Sequence, residues 1–194
     1  MIIALSIVAV VTALVLVGCQ ATRAGYESAP YQVVRADGKF ELRDYPALMV
    51  VETPMVSREA GADGGFGRLF GFITGRNESK QKISMTTPVF MSGSDSNATM
   101  AFVMPAKLKA GEVPKPTDGS LTTRELPAGR FAVLRYSGGR GEKQEAEALA
   151  RLKTWMADKQ LSVSSPPVYG YFDPPWTPAF LRRNEVMLRT AAGR

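Results

Sequence analysis

The sequence contains no histidine, and its only cysteine is Cys19. Without histidine the chain can form neither a Ser-His-Asp nor a Cys-His catalytic centre, and it offers no imidazole ligand to zinc or to haem iron. A single cysteine also excludes an internal disulfide framework and a thiolate metal cluster. These absences leave ligand binding as a simpler expectation than catalysis.

What is present fits one ordinary globular domain. Apolar residues make up 45% of the 194 residues and charged residues 22%, a composition typical of folded soluble domains. The net charge is +6 with a pI near 9.6. Such a charge attracts anionic lipids, nucleic acid or carboxylate-bearing ligands without choosing among them.

The N-terminus has the pattern of an export signal. Residues 1–18 carry no charged side chain, and this apolar run ends in Leu16-Val17-Gly18-Cys19. The ending resembles the lipobox of bacterial lipoproteins, in which the cysteine is acylated, for example with palmitate, and becomes the first residue after cleavage. We therefore predict a lipoprotein signal peptide over 1–18, a lipidated Cys19 that begins a polar tether over 19–30, and a domain over 31–190 with a short tail over 191–194.

An uncleaved signal anchor is the alternative for this segment, because about 18 helical residues nearly cross a hydrocarbon core. The lipobox resemblance favours a lipid anchor at the cell envelope. By analogy with lipoprotein sorting, Gln20 after the cysteine indicates the periplasmic face of the outer membrane if the host is Gram-negative.

The remainder of the chain contains an internal sequence repeat. Arg43-Asp44-Tyr45-Pro46-Ala47 precedes an apolar strand, and Arg124-Glu125-Leu126-Pro127-Ala128 precedes another. Each half then continues with a helix and two further strands. Two strand-strand-helix-strand-strand units predict an α+β fold, a distorted β-barrel with pseudo-two-fold symmetry and both helices outside the sheet.

The periodicity predicts which residues these helices bury. The first helix carries apolar residues at helical spacing, namely Phe66, Leu69, Phe70 and Ile73, and the second carries Ala146, Leu149, Leu152 and Met156. Lys82 to Met85 is predicted as a strand, and residues 107–120 are predicted to connect the two halves.

Three features are candidates for a ligand surface. Methionines recur on predicted strands of the first half (Met85, Met91, Met100 and Met104), and methionine suits either a pocket for a flat apolar ligand or an ordinary core. Basic residues precede two strands, although we expect Arg182-Arg183 to pair internally with Glu185. The proline-aromatic run over 169–180 predicts a rigid loop that either packs on the core or docks a partner.

Two stretches resemble the SOUL family of haem-binding proteins: residues 81–89, QKISMTTPV, and residues 174–186, PPWTPAFLRRNEV. Shorter segments follow the family pattern in order, among them Arg43-Asp44-Tyr45-Pro46 and Asn77-Glu78-Ser79. The resemblance spans about residues 31–190. It implies a two-repeat distorted barrel that binds haem or another tetrapyrrole in an apolar groove.

The resemblance also implies candidate site residues. Apolar side chains would cover the macrocycle (Met49, Met85, Phe90 and Met104), and basic side chains would meet the propionates (Arg68, Lys80 and Lys82). A family proposal with histidine on the iron is excluded here, so haem would bind without histidine ligation, with Met, Tyr or Lys as an optional ligand. We predict no other metal site.

The leading functional expectation is a non-catalytic tetrapyrrole carrier, buffer or scavenger at the cell envelope. One alternative is a binder or sensor of other hydrophobic or cationic molecules, since the two-repeat architecture also resembles the ligand domains of multidrug-responsive regulators. Another is an interaction module that docks through the proline-aromatic loop. An enzyme is disfavoured because no residue spacing specifies a reaction, and nucleic acid is disfavoured for an exported protein whose positive charge is dispersed.

Overall fold

The computed structural model describes residues 25–55, 64–93 and 97–191 of the chain. The predicted signal peptide, the predicted lipidation at Cys19 and the last three residues of the tail lie outside the described residues. No helix among the described residues has the length and apolar character needed to span a membrane.

Eleven strands and two α-helices lie within the described residues. The strands are β1 Glu27–Ser28, β2 Gln32–Asp37, β3 Phe40–Tyr45, β4 Leu48–Pro54, β5 Thr86–Thr87, β6 Val89–Ser92, β7 Thr99–Val103, β8 Thr122–Leu126, β9 Gly129–Tyr136, β10 Val168–Tyr171 and β11 Asn184–Arg189. The helices are α1 Gly65–Ile73 and α2 Glu142–Asp158, and short 3-10 turns occur at Ala110–Glu112 and Ala179–Leu181.

The predicted two-fold repeat is visible in the strand order. Nine of the described strands form one curled antiparallel sheet in the order β2-β3-β9-β11-β10-β6-β7-β4-β8, and β1 pairs in parallel with β5. In the last eight strands of this order, β3, β4, β6 and β7 of the first half correspond to β8, β9, β10 and β11 of the second half. When each strand is replaced by its counterpart, the same order is obtained in reverse. The pseudo-two-fold axis therefore runs between β6 and β10, and the α+β fold predicted from the sequence is confirmed.

The two halves interlock across the sheet. The first strand of each half pairs with the second strand of the other, β3 with β9 and β8 with β4. At the axis, Gly170 lies opposite Phe90, and a Cβ atom on Gly170 would stand 3.3 Å from the side chain of Pro88. Glycine at this position lets Pro88 pack against the central strand, so the halves form one domain.

Alternate residues of each strand point to opposite faces of the sheet. On the helix-side face, Val51, Phe102 and Leu134 pack in one buried cluster with Leu69 of α1 and Leu152 of α2. On the opposite face a second cluster contains Val50, Val103, Val133 and Met187, against which Ala29 and Tyr31 of the N-terminal segment pack. The sheet therefore has two buried faces of different composition.

Helix α1 only partly follows the predicted burial. Leu69 and Ile73 are buried as expected, together with Phe72, but Phe66 and Phe70 are 41% and 47% exposed. The buried set has the spacing i, i+3, i+4, which turns the two phenylalanines outward. The prediction of Phe66 and Phe70 on the buried face was wrong.

Helix α2 begins at the predicted residue, and Leu152 and Met156 are buried as expected. Ala146 is exposed, and Trp155 takes a buried place instead. The Trp155 ring stacks on Phe40 at 5.3 Å, and its Nε1 donates a hydrogen bond of 3.0 Å to Asp37. With Trp155 held in this way, the buried face of α2 is shifted by about one residue from the predicted face.

The segment predicted as a strand before Met85 is a loop. The amide of Ile83 donates a 2.8 Å hydrogen bond to the carbonyl of Ile73, so this backbone closes the C-terminal end of α1 instead of joining the sheet. Met85 and Met104 consequently lie just outside β5 and β7, whereas Met91 and Met100 lie on strands as predicted. Residues 107–120 connect β7 to β8 as expected.

Candidate functional site

Three of the predicted site residues belong to one cluster on the helix-side face. The amide of Met104 donates a 2.8 Å hydrogen bond to the carbonyl of Met49, which places the end of β7 beside the start of β4. The hydroxyl of Thr86 donates a 2.6 Å bond to the carbonyl of Val103, and this brings the neighbouring Met85 to the same end. We call Met49, Met85 and Met104 the methionine cluster.

The three side chains of the methionine cluster differ in how deeply they are buried. Met104 is buried, whereas Met49 and Met85 are half-buried and pack against the same core cluster from its edge. Unbranched thioether side chains at such an edge can change rotamer to accept a flat apolar ligand without opening the core.

Helix α1 carries two exposed aromatic side chains. Phe66 and Phe70 of α1 stack on each other at 5.9 Å, and Phe66 makes an edge contact of 5.3 Å with Phe102. Phe102 precedes Met104 by two residues on the same face of β7. The sequence predicted both phenylalanines in the core, because the set of Leu69, Phe72 and Ile73 is spaced as well for a buried face as the set that contains Phe66 and Phe70.

The loop that carries Lys80 and Lys82 is held by buried Asn77. The amide nitrogen of Asn77 donates to the carbonyls of Phe72 (2.9 Å) and Gln81 (2.8 Å), and its oxygen accepts from the Gln81 amide (3.0 Å). Lys80 adopts a left-handed φ of 53°. Both lysines are exposed, and neither forms an ion pair within the described residues. The loop therefore presents two cations on a braced backbone.

Arg68 lies at a different place. Its guanidinium donates to the Thr53 hydroxyl (3.1 Å) and to the Pro54 carbonyl (2.9 Å), at the end of β4 remote from Met49. Thr53 follows Met49 by four residues along the strand, a distance of about 13 Å. The structure therefore does not bring Arg68 to the methionine cluster.

Phe90 is separated from the other apolar candidates by the sheet. Its side chain belongs to the cluster on the opposite face, with Leu48 and Val50, whereas its neighbour Met91 points to the helix side. One residue of strand register decides the face. A ligand on the methionine cluster would not reach the Phe90 ring.

The opposite face carries a buried ionic network that the sequence analysis found only in part. Arg43 is fully buried and donates twice to Glu185 (2.8 and 3.0 Å) and once to Glu41 (2.7 Å). Arg183 adds bonds of 2.6 and 3.0 Å to Glu185, and Arg135 bonds Glu41. The expected internal pairing of Arg183 with Glu185 is confirmed.

Tyrosines complete this network. Nη1 of Arg43 donates to the Tyr45 hydroxyl at 3.0 Å, and its guanidinium lies 4.1 Å from the centre of the Tyr31 ring. Burial, only partly offset by Arg43, raises the pKa of Tyr45 to about 12. Burial opposes the charge of Arg43, yet its bonds to Glu185 outweigh that cost and raise the pKa of Arg43. Arg43 therefore keeps its charge inside the network.

The proline-aromatic run divides between the two expected roles. Tyr169, Tyr171 and Phe172 are buried, so this part packs on the core. Trp176 and Phe180 are 77% and 73% exposed, so the tip of the loop is a free surface.

Acidic groups do not form a cation site in the described part of the chain. No group of three or more Cys, Asp or Glu side chains is placed to hold a metal ion there. Two carboxylates form ion pairs instead, Asp44 with Arg130 and Glu52 with Arg124, each at 2.7 Å.

Solved structures share this fold at low sequence identity. The crystal structure of the EcmrR C-terminal domain superposes with a TM-score of 0.54 at 14% identity, covering 83% of this chain and 98% of that one. A hydrolase encoded by lin2189 from Listeria innocua superposes with a TM-score of 0.61 at 10% identity, covering 81% and 94%. These likenesses show the fold alone. No curated protein is significantly similar to the chain in sequence.

The family is established by a match along most of the chain. The family model described as SOUL heme-binding protein matches residues 26–189. The match takes in the methionine cluster, the loop of Lys80 and Lys82 and both repeats, and its start falls beside β1, inside the segment expected to be a tether. The chain therefore belongs to the SOUL heme-binding protein family.

Proposed function

We propose that this protein is a non-catalytic binder of haem or a related tetrapyrrole, held at the cell envelope through a lipid on Cys19, where it acts as a carrier, buffer or scavenger. The family match over residues 26–189 carries the proposal. The methionine cluster supports it, because half-buried thioethers at the edge of the core form an apolar surface suited to a flat ring.

The donor chemistry of this surface fits a weakly ligated tetrapyrrole. Met49 and Met85 supply apolar contact and a thioether that can coordinate iron, and Lys80 and Lys82 supply cations for propionates. Haem would contribute its own redox-active iron when bound. We keep Arg68 as a propionate candidate only for a ligand that extends along α1, since its bonds to Thr53 and Pro54 hold it away from the cluster.

The absence of histidine supports the role of a carrier or buffer within this proposal. A thioether binds ferric iron less strongly than an imidazole, so a site of this kind releases its ligand more readily. Release is what a carrier or buffer requires. We assign no catalytic residue and no nucleic-acid partner.

A spectroscopic titration of the chain from residue 20 onward with haem tests the proposal. We expect a saturable Soret change near one equivalent without a bis-histidine spectrum. A linear, non-saturating change would contradict haem binding.

The same titration separates the alternatives when it is repeated with a hydrophobic cation. Displacement of haem by the cation at comparable concentration would favour a general binder of amphipathic molecules, whereas unchanged haem binding supports tetrapyrrole selectivity.

A further inference from the structure

The tip of the proline-aromatic run is the most exposed large apolar surface in the described residues. We call residues 172–183 the aromatic loop. Its Trp176 and Phe180 side chains are 77% and 73% exposed, whereas every other exposed large apolar side chain of the described part lies at 50% or below. Two neighbouring aromatic side chains left in water are costly, and they mark a contact surface.

The aromatic loop is braced from within. The guanidinium of Arg182 donates to the carbonyls of Thr177 (2.7 Å) and Pro175, and the amide of Arg183 donates to buried Asp173 (2.6 Å). The amide of Gly138 donates to the carbonyl of Ala179 at 3.0 Å, which fixes the loop to the start of α2. Because this backbone is already ordered, little conformational entropy is lost when the aromatics are buried against a partner.

The N-terminal segment runs along the same end of the sheet. Strand β1 pairs with β5, which adjoins the start of β6, and β6 begins opposite Tyr171, the residue before the aromatic loop. The hydroxyl of Tyr31 accepts a 3.3 Å bond from Arg183 at the end of the loop. The path towards Cys19 therefore leaves the domain at the end where Trp176 and Phe180 project.

The intervening chain is short. Gly25, the first described residue, follows Cys19 by 25 − 19 = 6 residues. Six residues span at most about 20 Å. A lipid on Cys19 would hold this end of the domain within that distance of a bilayer, at a high effective concentration, so that even weak insertion of the aromatics becomes populated.

We propose that the aromatic loop docks on the bilayer, with Trp176 and Phe180 inserted at the level of the phospholipid headgroups. The inference rests on the proposed lipid anchor. Tryptophan favours this interfacial region because it joins an apolar ring to an N–H donor. The net charge of +6 favours an anionic surface over a neutral one.

Docking fixes the orientation of the domain. Met85 and Met104 lie at this same end, beside β5 and the last residue of β7. The methionine cluster then lies near the lipid surface, into which an amphipathic tetrapyrrole partitions.

The test uses the full chain reconstituted in vesicles of phosphatidylethanolamine and phosphatidylglycerol with brominated acyl chains. Trp155 serves as an internal reference, because it is buried and bonded to Asp37. We expect the fluorescence emission of Trp176 to shift to the blue and to be quenched by brominated lipid. In a Trp176→Phe variant, the remaining emission comes from Trp155 and should not be quenched.

Two further variants bear on the interface itself. Phe180→Ser is expected to lower the docking equilibrium about tenfold, since burial of a phenyl ring is worth at least one decade. Val34→Ser is the matched control, because Val34 is 48% exposed on β2. It should leave quenching unchanged.

Mass spectrometry shows whether Cys19 is acylated, and so distinguishes a failure of the docking proposal from a failure of the proposed lipid anchor. An acylated chain whose Trp176 emission stays unshifted and unquenched overturns docking and leaves the anchor standing. A chain without acylation whose Trp176 is still quenched supports docking and overturns the anchor. Equal loss of quenching in Phe180→Ser and Val34→Ser also overturns the proposed interface.

Discussion

The two faces of the sheet differ in how firmly their side chains are held. On the opposite face, Arg43, Glu185 and Glu41 are buried and every one of them is bonded to a neighbour. On the helix-side face, the methionine cluster has an edge that is only half-buried, made of flexible side chains that form no polar bonds. The first arrangement specifies one geometry, whereas the second tolerates several.

This difference indicates where a ligand can bind. Insertion of a tetrapyrrole into the ionic network would break buried charge-assisted bonds, at a cost of several kcal/mol. Contact with the methionine cluster requires only rotamer changes and removes more apolar surface from water. We therefore expect the opposite face to stabilise the fold and the helix side to bind the ligand.

The largest effect is expected from Arg43→Met. The change leaves Glu185 and Glu41 in a buried site without their central cation, so we expect the free energy of unfolding to fall by about 3–5 kcal/mol. Urea denaturation measures it. Arg130→Ala is the control, because its pair with Asp44 lies at the surface and its loss should cost far less. Equal losses in both variants would refute the structural role of the network.

The alkaline limit of stability tests the same face. The pKa of Tyr45 is raised to about 12 in the folded protein from an ordinary value of 10.0, so the folded state keeps a proton that the unfolded state loses. The stabilisation is present below pH 10 and is lost as the pH rises through 12, by up to roughly 3 kcal/mol. Tyr45→Phe should flatten this part of the profile of unfolding free energy against pH. Identical slopes in the variant and the parent would contradict the assignment.

Haem affinity should distinguish the two faces. Met85→Ala removes a half-buried thioether from the helix side, and we expect its dissociation constant for haem to rise about tenfold. Phe90→Leu alters a buried ring on the opposite face and should leave the constant within about twofold. Soret titration of both variants measures the pair. The reverse pattern would place the ligand on the opposite face.

The smallest expected effect concerns the braced lysines. Lys82→Ala should weaken haem binding about threefold, because an exposed ion pair with a propionate is worth under about 1 kcal/mol. The dimethyl ester of haem lacks the propionate charges, so the same substitution should not change its affinity. Lys153→Ala on the exposed side of α2 is the matched control. Equal sensitivity of haem and its ester to Lys82→Ala would exclude a charge contact.

The fold was predictable because its signals repeat. Arg43 to Ala47 and Arg124 to Ala128 recur in the same order, and helix α2 starts at the predicted Glu142. Burial within the helices was less predictable, because α1 carries apolar residues on two sides and only the sheet decides which side faces it. The outward position of Phe66 and Phe70 is therefore a property of the tertiary structure.

The candidate site was predictable only in part for a related reason. Apolar character places Met49, Met85, Met104 and Phe90 in one class, but strand register separates Phe90 from the others, and register depends on pairing between distant strands. The ionic network also required structure, since Arg43 and Glu185 are 142 residues apart. Sequence motifs contained both residues without showing that they touch.

The most direct test of binding on the helix side is a methyl NMR spectrum of the methionines of the domain during titration with ferric haem. Paramagnetic broadening falls off steeply with distance from the iron, so each methionine reports its own proximity. We expect the signals of Met49, Met85 and Met104 to broaden first and that of Met187, on the opposite face, to remain sharp. Early broadening of Met187 with an unchanged Met85 signal would contradict the account.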